Sequence, residues 1–341
     1  MNQFDCYGTG DINMSKYAYI VGACSKYTVE LCACLNSLDY VGNKQDVHVI
    51  GIDLPQEFIS QFDKLNYKVI HHVISEKEVQ ESHGISEVTC RKRYWYAGNI
   101  GKEYDAICVL DADLIFVRDP WQFFEIAAKT GFVLGVSKEQ NEKYNHIHHK
   151  FKGEWLIPEG TQPESDLCNC PIFVDAKIWG EAFKKSWEIF IDGFPDTNFK
   201  APDMAAMNIM LLKYGSSDKT IALPNVQWLC TNEQALKLYQ RAVEDRGKIK
   251  TETGIPIFSY HGHFGHIKWR ECQLANRHRC AQGYFKASGK SLECSDNIAK
   301  GSLNLLYERF KKMFSWKITI PPLNYRHPEN TSYKEYGDLW N

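Results

Sequence analysis

Asp111 and Asp113 close an apolar run, Ile107-Cys108-Val109-Leu110, with the single residue Ala112 between them. The run has the length of a buried strand, and Leu114-Ile115-Phe116-Val117 continues apolar until Arg118-Asp119-Pro120 breaks it. Two acids delivered to the end of a buried strand are costly unless a cation meets them there. Paired carboxylates offer hard oxygen ligands that suit Mg²⁺ or Mn²⁺, and such ions often carry substrate phosphates. Ligands also bind at strand carboxyl ends in open α/β sheets. The chemistry indicated is a divalent metal holding a diphosphate.

By itself the motif leaves other readings open. An Asp-x-Asp occurs in surface turns and caps. Phosphatases of the haloacid dehalogenase type place a nucleophilic Asp after a similar strand, in a pattern resembling Asp-x-Asp-x-Thr/Val, where this chain has Ile115. A nucleotidyltransferase could use the same acid pair on a nucleoside triphosphate. A pseudoenzyme could keep a nucleotide-sugar pocket without turnover.

The remaining sequence must position these acids. With 341 residues, 44% of them hydrophobic, the chain can bury a full core. A formal net charge of −2 argues against a nucleic-acid binder driven by bulk electrostatics. No apolar run approaches the roughly 20 residues of a bilayer span. Residues 1–10 lack the basic and apolar regions of a signal peptide. The twelve cysteines include Cys32/Cys34 and Cys168/Cys170 as C-x-C pairs but no C-x-x-C. That spacing favours reduced thiols and a cytoplasmic protein over a disulfide framework or zinc site.

Apolar runs alternate with helical patterns over the first ~120 residues, which implies an α/β fold with a mostly parallel sheet. Strands are expected at 17–22, 46–52, 67–73 and through the Asp-x-Asp run, with helices at 29–38, 55–65 and about 90–100. Further on, strands are expected at 131–137, 172–174 and 255–260, and helices at 175–191 and 202–214. After Arg270 the strand signals thin out. Residues 303–316 (LNLLYERFKKMFSW) form an amphipathic pattern. It suits a helix packed on the domain, or one making peripheral membrane contact through its aromatic and basic side chains.

Four later segments join the acid pair: Asp166-Leu167-Cys168-Asn169, Asp203-Met204-Ala205-Ala206-Met207-Asn208, Leu223-Pro224, and His261-Gly262-His263-Phe264-Gly265-His266-Ile267-Lys268-Trp269. In this order they resemble the GT-A glycosyltransferases of the glycogenin and lipopolysaccharide galactosyltransferase type. Those enzymes carry Leu-Asp-x-Asp, Asp-x-x-Asn-x-Gly, Asp-Gln-x-x-Leu-Asn, Leu-Pro and His-x-x-Gly-x-x-Lys-Pro-Trp. The resemblance spans about three quarters of the chain. It implies a GT-A catalytic domain over 1–270, Rossmann-like with flanking helices, and a mainly helical C-terminal extension over 271–341. The implied activity is metal-dependent, retaining transfer of a hexosyl group from a nucleotide diphosphate sugar, with UDP as nucleotide. The acceptor is a hydroxyl of a glycan, a lipid-linked sugar or a protein.

The resemblance also implies roles. Asp111 and Asp113 would hold Mn²⁺ or Mg²⁺ together with a histidine, His263 or His261. Ala23 and Tyr27 would border the base, and Asp53 would accept a hydrogen bond from base or ribose. Arg93, Gly265 and Lys268 would face the diphosphate or donor sugar. Asp166, Asn169 and Asp203 would contact sugar hydroxyls around the reaction centre. Each has a simpler competitor: Asp203 as a helix-start acid, Tyr27 as a core aromatic, Arg91-Lys92-Arg93 as a solvated helix face. Three departures mark a divergent member. Pro171 stands for the family's Gly, Met204 for the Gln after the helix Asp, and Trp269 follows Lys268 with no intervening Pro.

Overall fold

The first strand, β1 (Tyr17–Cys24), is buried along its whole length, and its side chains alternate between two apolar clusters. Tyr17, Tyr19, Val21 and Ala23 enter one cluster, while Ala18, Ile20 and Cys24 enter the other. This is the period-2 alternation of a strand covered on both faces, which is why it reads as one continuous apolar run. The computed structural model describes residues 16–82, 90–116, 119–137, 167–193, 202–216, 219–222, 226–228, 259–261 and 292.

After β1 come α1 (Thr28–Tyr40), β2 (Asp46–Ile52), the single turn α2 (Gln56–Ile59), β3 (Val69–Val73) and α3 (Glu76–Glu81). A 3-10 turn, Cys90–Lys92, leads into α4 (Arg93–Ile100) and then β4 (Ala106–Asp111) and β5 (Leu114–Phe116). The later elements are α5 (Trp121–Thr130), β6 (Val133–Ser137), β7 (Leu167–Val174), α6 (Ala176–Gly193), α7 (Pro202–Lys213), β8 (Thr220–Ala222), β9 (Val226–Trp228) and β10 (Ser259–His261). The main sheet runs β3-β2-β1-β4-β7-β6-β8, and a small sheet runs β5-β10-β9. Strands β1 to β4 are parallel, and β7 is antiparallel to both β4 and β6. The fold is therefore α/β, with helices α1 and α5 on one face and α4, α6 and α7 on the other.

Several boundaries differ from the sequence expectation for identifiable reasons. Residues 55–65 give one α-turn and a short 3-10 turn, Phe62–Lys64, rather than a continuous helix. Residues 114–117 do not extend the central strand: Ala112 and Asp113 form a turn, and β5 joins the second sheet. β7 begins at Leu167, five residues early, and its pairing with β6 shifts register between Leu134↔Phe173 and Val136↔Cys168. Pro171 lies in that interval and has no N–H to give the ladder, so a bulge accommodates it.

Helices α4 and α6 meet backbone to backbone. A Cβ on Gly98 would sit 2.4 Å from the Gly180 carbonyl oxygen. This close approach draws the start of α4 toward the far end of α6.

Leu292, from the expected extension, is buried in the same apolar cluster as α1 and β5. Asn36 on α1 donates to its carbonyl at 2.9 Å and accepts from its N–H at 2.6 Å. Leu292 is thus anchored to the core on the α1 side of the sheet. Leu292→Ala is expected to destabilise the whole protein by about 3 kcal/mol through the cavity it leaves. A shift of the single unfolding midpoint in denaturant checks this. An unchanged midpoint would mean that the anchor contributes nothing.

Candidate functional site

Asp111 ends β4, level with Gly22 of β1, and Asp113 follows in the turn before β5. Both are partly exposed, at the carboxyl end of the parallel strands. The turn is held from below by α1: Ser37 Oγ accepts from the Phe116 N–H at 3.0 Å. Cys34, on the same helix, is fully buried. Burial pushes its thiol pKa up and the charges of Asp113 and Asp111 raise it further. Both effects favour the protonated thiol.

Arg93 meets Asp111 directly. Its Nη2 donates to Asp111 Oδ1 at 2.5 Å, with the arginine side chain 5% exposed and the aspartate 26%. Its guanidinium also lies over the Tyr94 ring at 4.9 Å. Arg91-Lys92-Arg93 is therefore no solvated helix face. Lys92 pairs with Glu78 at 2.7 Å, and Arg91 pairs with Asp203 with Nε–Oδ2 at 3.4 Å. The alternation in this turn sends Arg91 and Arg93 to acids on two different elements. The sequence reading gave Arg91 no role, because a basic triplet before a helix carries no sign of which acids it will meet.

The other expected residues are placed as follows. Ala23 lies within β1 rather than after it, and its side chain is fully buried. Tyr27 closes the 3-10 turn after β1 and is partly buried against both clusters. Asp53 follows β2, exposed, with φ of +49°. A non-glycine residue in the left-handed region costs energy that is usually retained for a reason, and aspartate tolerates it better than most. The ends of β1 and β2 are adjacent, since Cys24 pairs with Ile52.

Asn169 lies inside β7, not before it. β7 pairs with β4 only through Ile172–Val174, so its earlier residues run past the carboxyl end of β4, toward Asp111. Asp203 is the second residue of α7 and is buried, 3% exposed. His261 ends β10, where it pairs with Leu114, the residue directly after Asp113. The second sheet thus pairs the His261 backbone with the strand that follows the acid pair. Asp166, His263, Gly265, Lys268 and residues 303–316 lie outside the described residues.

Asp111 and Asp113 supply hard oxygen donors of the kind that Mn²⁺ or Mg²⁺ takes. One Asp111 oxygen is taken by Arg93, and a carboxylate has lone pairs for a second partner. Among the described residues, no group of three His, Cys, Asp or Glu side chains gathers closely enough to hold an ion unaided.

No family model matches the sequence, and no curated protein does. Solved structures do match. The galactosyltransferase LgtC, in complex with donor and acceptor sugar analogues, aligns with a TM-score of 0.53 at 14% identity, over 84% of this chain and 99% of LgtC. The bifunctional glycosyltransferase WbbM aligns with a TM-score of 0.56 at 11% identity, over 85% of this chain. This chain spans about half of WbbM, 52% of its length. The chain has the GT-A fold. At such identities the likeness establishes architecture, while chemistry must be argued from the site. No helix among the described residues is long and apolar enough to cross a membrane.

Proposed function

We propose that the protein is a metal-dependent glycosyltransferase that moves a hexosyl group from a UDP-sugar to an acceptor hydroxyl with retention of configuration. The observation carrying this reading is the acid pair Asp111/Asp113 at the carboxyl end of the central strand β4, with the buried Arg93 cation bonded to it. Asp111, Asp113 and one histidine, His263 or His261, hold Mn²⁺ or Mg²⁺. When bound, the ion neutralises charge that develops on the leaving diphosphate. Arg93, Gly265 and Lys268 bind the diphosphate and donor sugar. The β1 and β2 ends, through Ala23, Tyr27 and Asp53, border the uridine. Asp166, Asn169 and Asp203 hydrogen-bond the sugar and orient its anomeric carbon. The acceptor is a glycan, a lipid-linked sugar or a protein. The described cysteines Cys24, Cys32, Cys34 and Cys108 are buried thiols outside any disulfide, which suits action in the cytoplasm.

The reading is tested by incubating the protein with Mn²⁺ and a panel of nucleotide sugars while following the anomeric protons by NMR. Loss of one UDP-hexose with a first-formed product of the donor's own anomeric configuration supports it. An inverted product overturns retention. Binding without turnover would make the chain a nucleotide-sugar binding module, and consumption of a nucleoside triphosphate would make it a nucleotidyltransferase.

The metal's histidine is separable by affinity. We assign it to His263, which directly precedes Phe264-Gly265 in the sequence, with His261 at the β10 end as the competitor. His263→Ala is expected to weaken Mn²⁺ binding in the presence of UDP by at least the ~10–100-fold seen for changes around metal ligands. If His261→Ala alone does so, the ligand lies two residues earlier; if neither does, no histidine completes the site.

A further inference from the structure

We propose that Arg91 is a positioning residue for the donor sugar, acting through Asp203 and not on the donor itself. The inference rests on the reading of Asp203 as a sugar-binding carboxylate. Asp203 is 3% exposed, and a carboxylate so removed from water requires a partner of opposite charge or strong hydrogen bonds to stay ionised and fixed. Arg91 supplies that cation, with its Nε 3.4 Å from Asp203 Oδ2.

The guanidinium is itself held from a second side. It lies 5.7 Å above the ring of Phe190, a buried residue near the end of α6. Arg91 therefore ties the 3-10 turn before α4 to both α6 and α7. The backbone contact of Gly98 with Gly180 fixes α4 against α6, so the turn has little freedom to take Arg91 elsewhere.

Two residues further on, Arg93 bonds Asp111. One turn of chain thus sets two acids at once: the one that ends β4 and the one that opens α7. Their separation decides whether a sugar joined to a metal-held diphosphate reaches Asp203. Arg93 cannot substitute for Arg91, because its guanidinium is engaged with Asp111 and Tyr94. Without Arg91, Asp203 keeps its place in the chain but loses the ion pair with Arg91. Sugar recognition should then fail while nucleotide recognition survives.

The test is calorimetric titration of the full-length protein, in Mn²⁺, with UDP and with the UDP-sugar that the wild type turns over. For Arg91→Met, UDP affinity is expected to stay within twofold of wild type, while the ratio of UDP-sugar to UDP affinity falls at least tenfold. Arg91→Lys, which keeps the charge, is expected to restore the ratio to within threefold. Asp203→Asn should lower the ratio less in the Arg91→Met background than in wild type, since Arg91 acts on the sugar only through Asp203. Should Arg91→Met fail to fold, as judged by circular dichroism, Arg91→Gln takes its place with the same expectations. An unchanged ratio, an equal loss for UDP and UDP-sugar, or a fully additive double variant overturns the proposal. Wild-type protein that binds neither ligand overturns the donor reading, and this proposal with it. Wild-type binding with an indifferent Arg91 variant overturns this proposal alone.

Discussion

Asp113→Asn is expected to abolish sugar transfer and leave the protein folded. The substitution keeps shape but removes a charged oxygen ligand from a site that must neutralise a departing diphosphate. Loss of such a ligand raises the barrier by several kcal/mol, a rate loss beyond ~10³. Folding should survive because Asp113 sits in a partly exposed turn between β4 and β5 and belongs to neither apolar cluster. The release rate of UDP, with circular dichroism as the control for folding, checks both halves. Near-normal turnover by the variant, or full wild-type turnover in excess EDTA, would contradict the metal site.

Arg93→Met should harm both stability and rate. Removing one partner of a fully buried ion pair costs about 3–5 kcal/mol, because the other charge loses its compensation. Asp111 is 26% exposed and recovers some hydration, so about 2–3 kcal/mol is expected here. Transfer should also fall by at least ~10², since the arginine's charge is lost beside the diphosphate. Adding Mn²⁺ and UDP should restore part of the lost thermal stability, because the ion replaces the missing positive charge at Asp111. Thermal unfolding with and without Mn²⁺-UDP measures this. A variant as stable and as active as wild type would show that the Arg93–Asp111 bond matters to neither.

The fold was legible where local pattern and tertiary environment agree. β2 at Asp46–Ile52 and α7 from Pro202 matched expectation because one is rich in β-branched apolar residues and the other opens with a proline and an acid. The acid pair was legible for the same reason: an apolar strand ending in Asp-x-Asp is a one-dimensional pattern. Three features were not. The turn that divides β4 from β5 interrupts an apolar sequence without a glycine or proline, so nothing local announces a second sheet. The bulge at Pro171 depends on how β6 aligns with β7, a register that neither strand encodes alone. Arg91 and Arg93 acquire meaning only when α7 and β4 arrive beside them, and a basic triplet looks the same in water as against two acids of the fold. Leu292 likewise became part of the core through Asn36, a polar residue 256 positions earlier.

The most direct measurement is a crystal structure of the protein with Mn²⁺ and the UDP-sugar it consumes. The expected density has the ion bound by the Asp111 and Asp113 carboxylates and by one histidine of the 261–263 segment, with the diphosphate on its open side and the uridine over the ends of β1 and β2. A nucleotide sugar bound elsewhere, or a diphosphate at this site with no metal between it and the two aspartates, would contradict that arrangement.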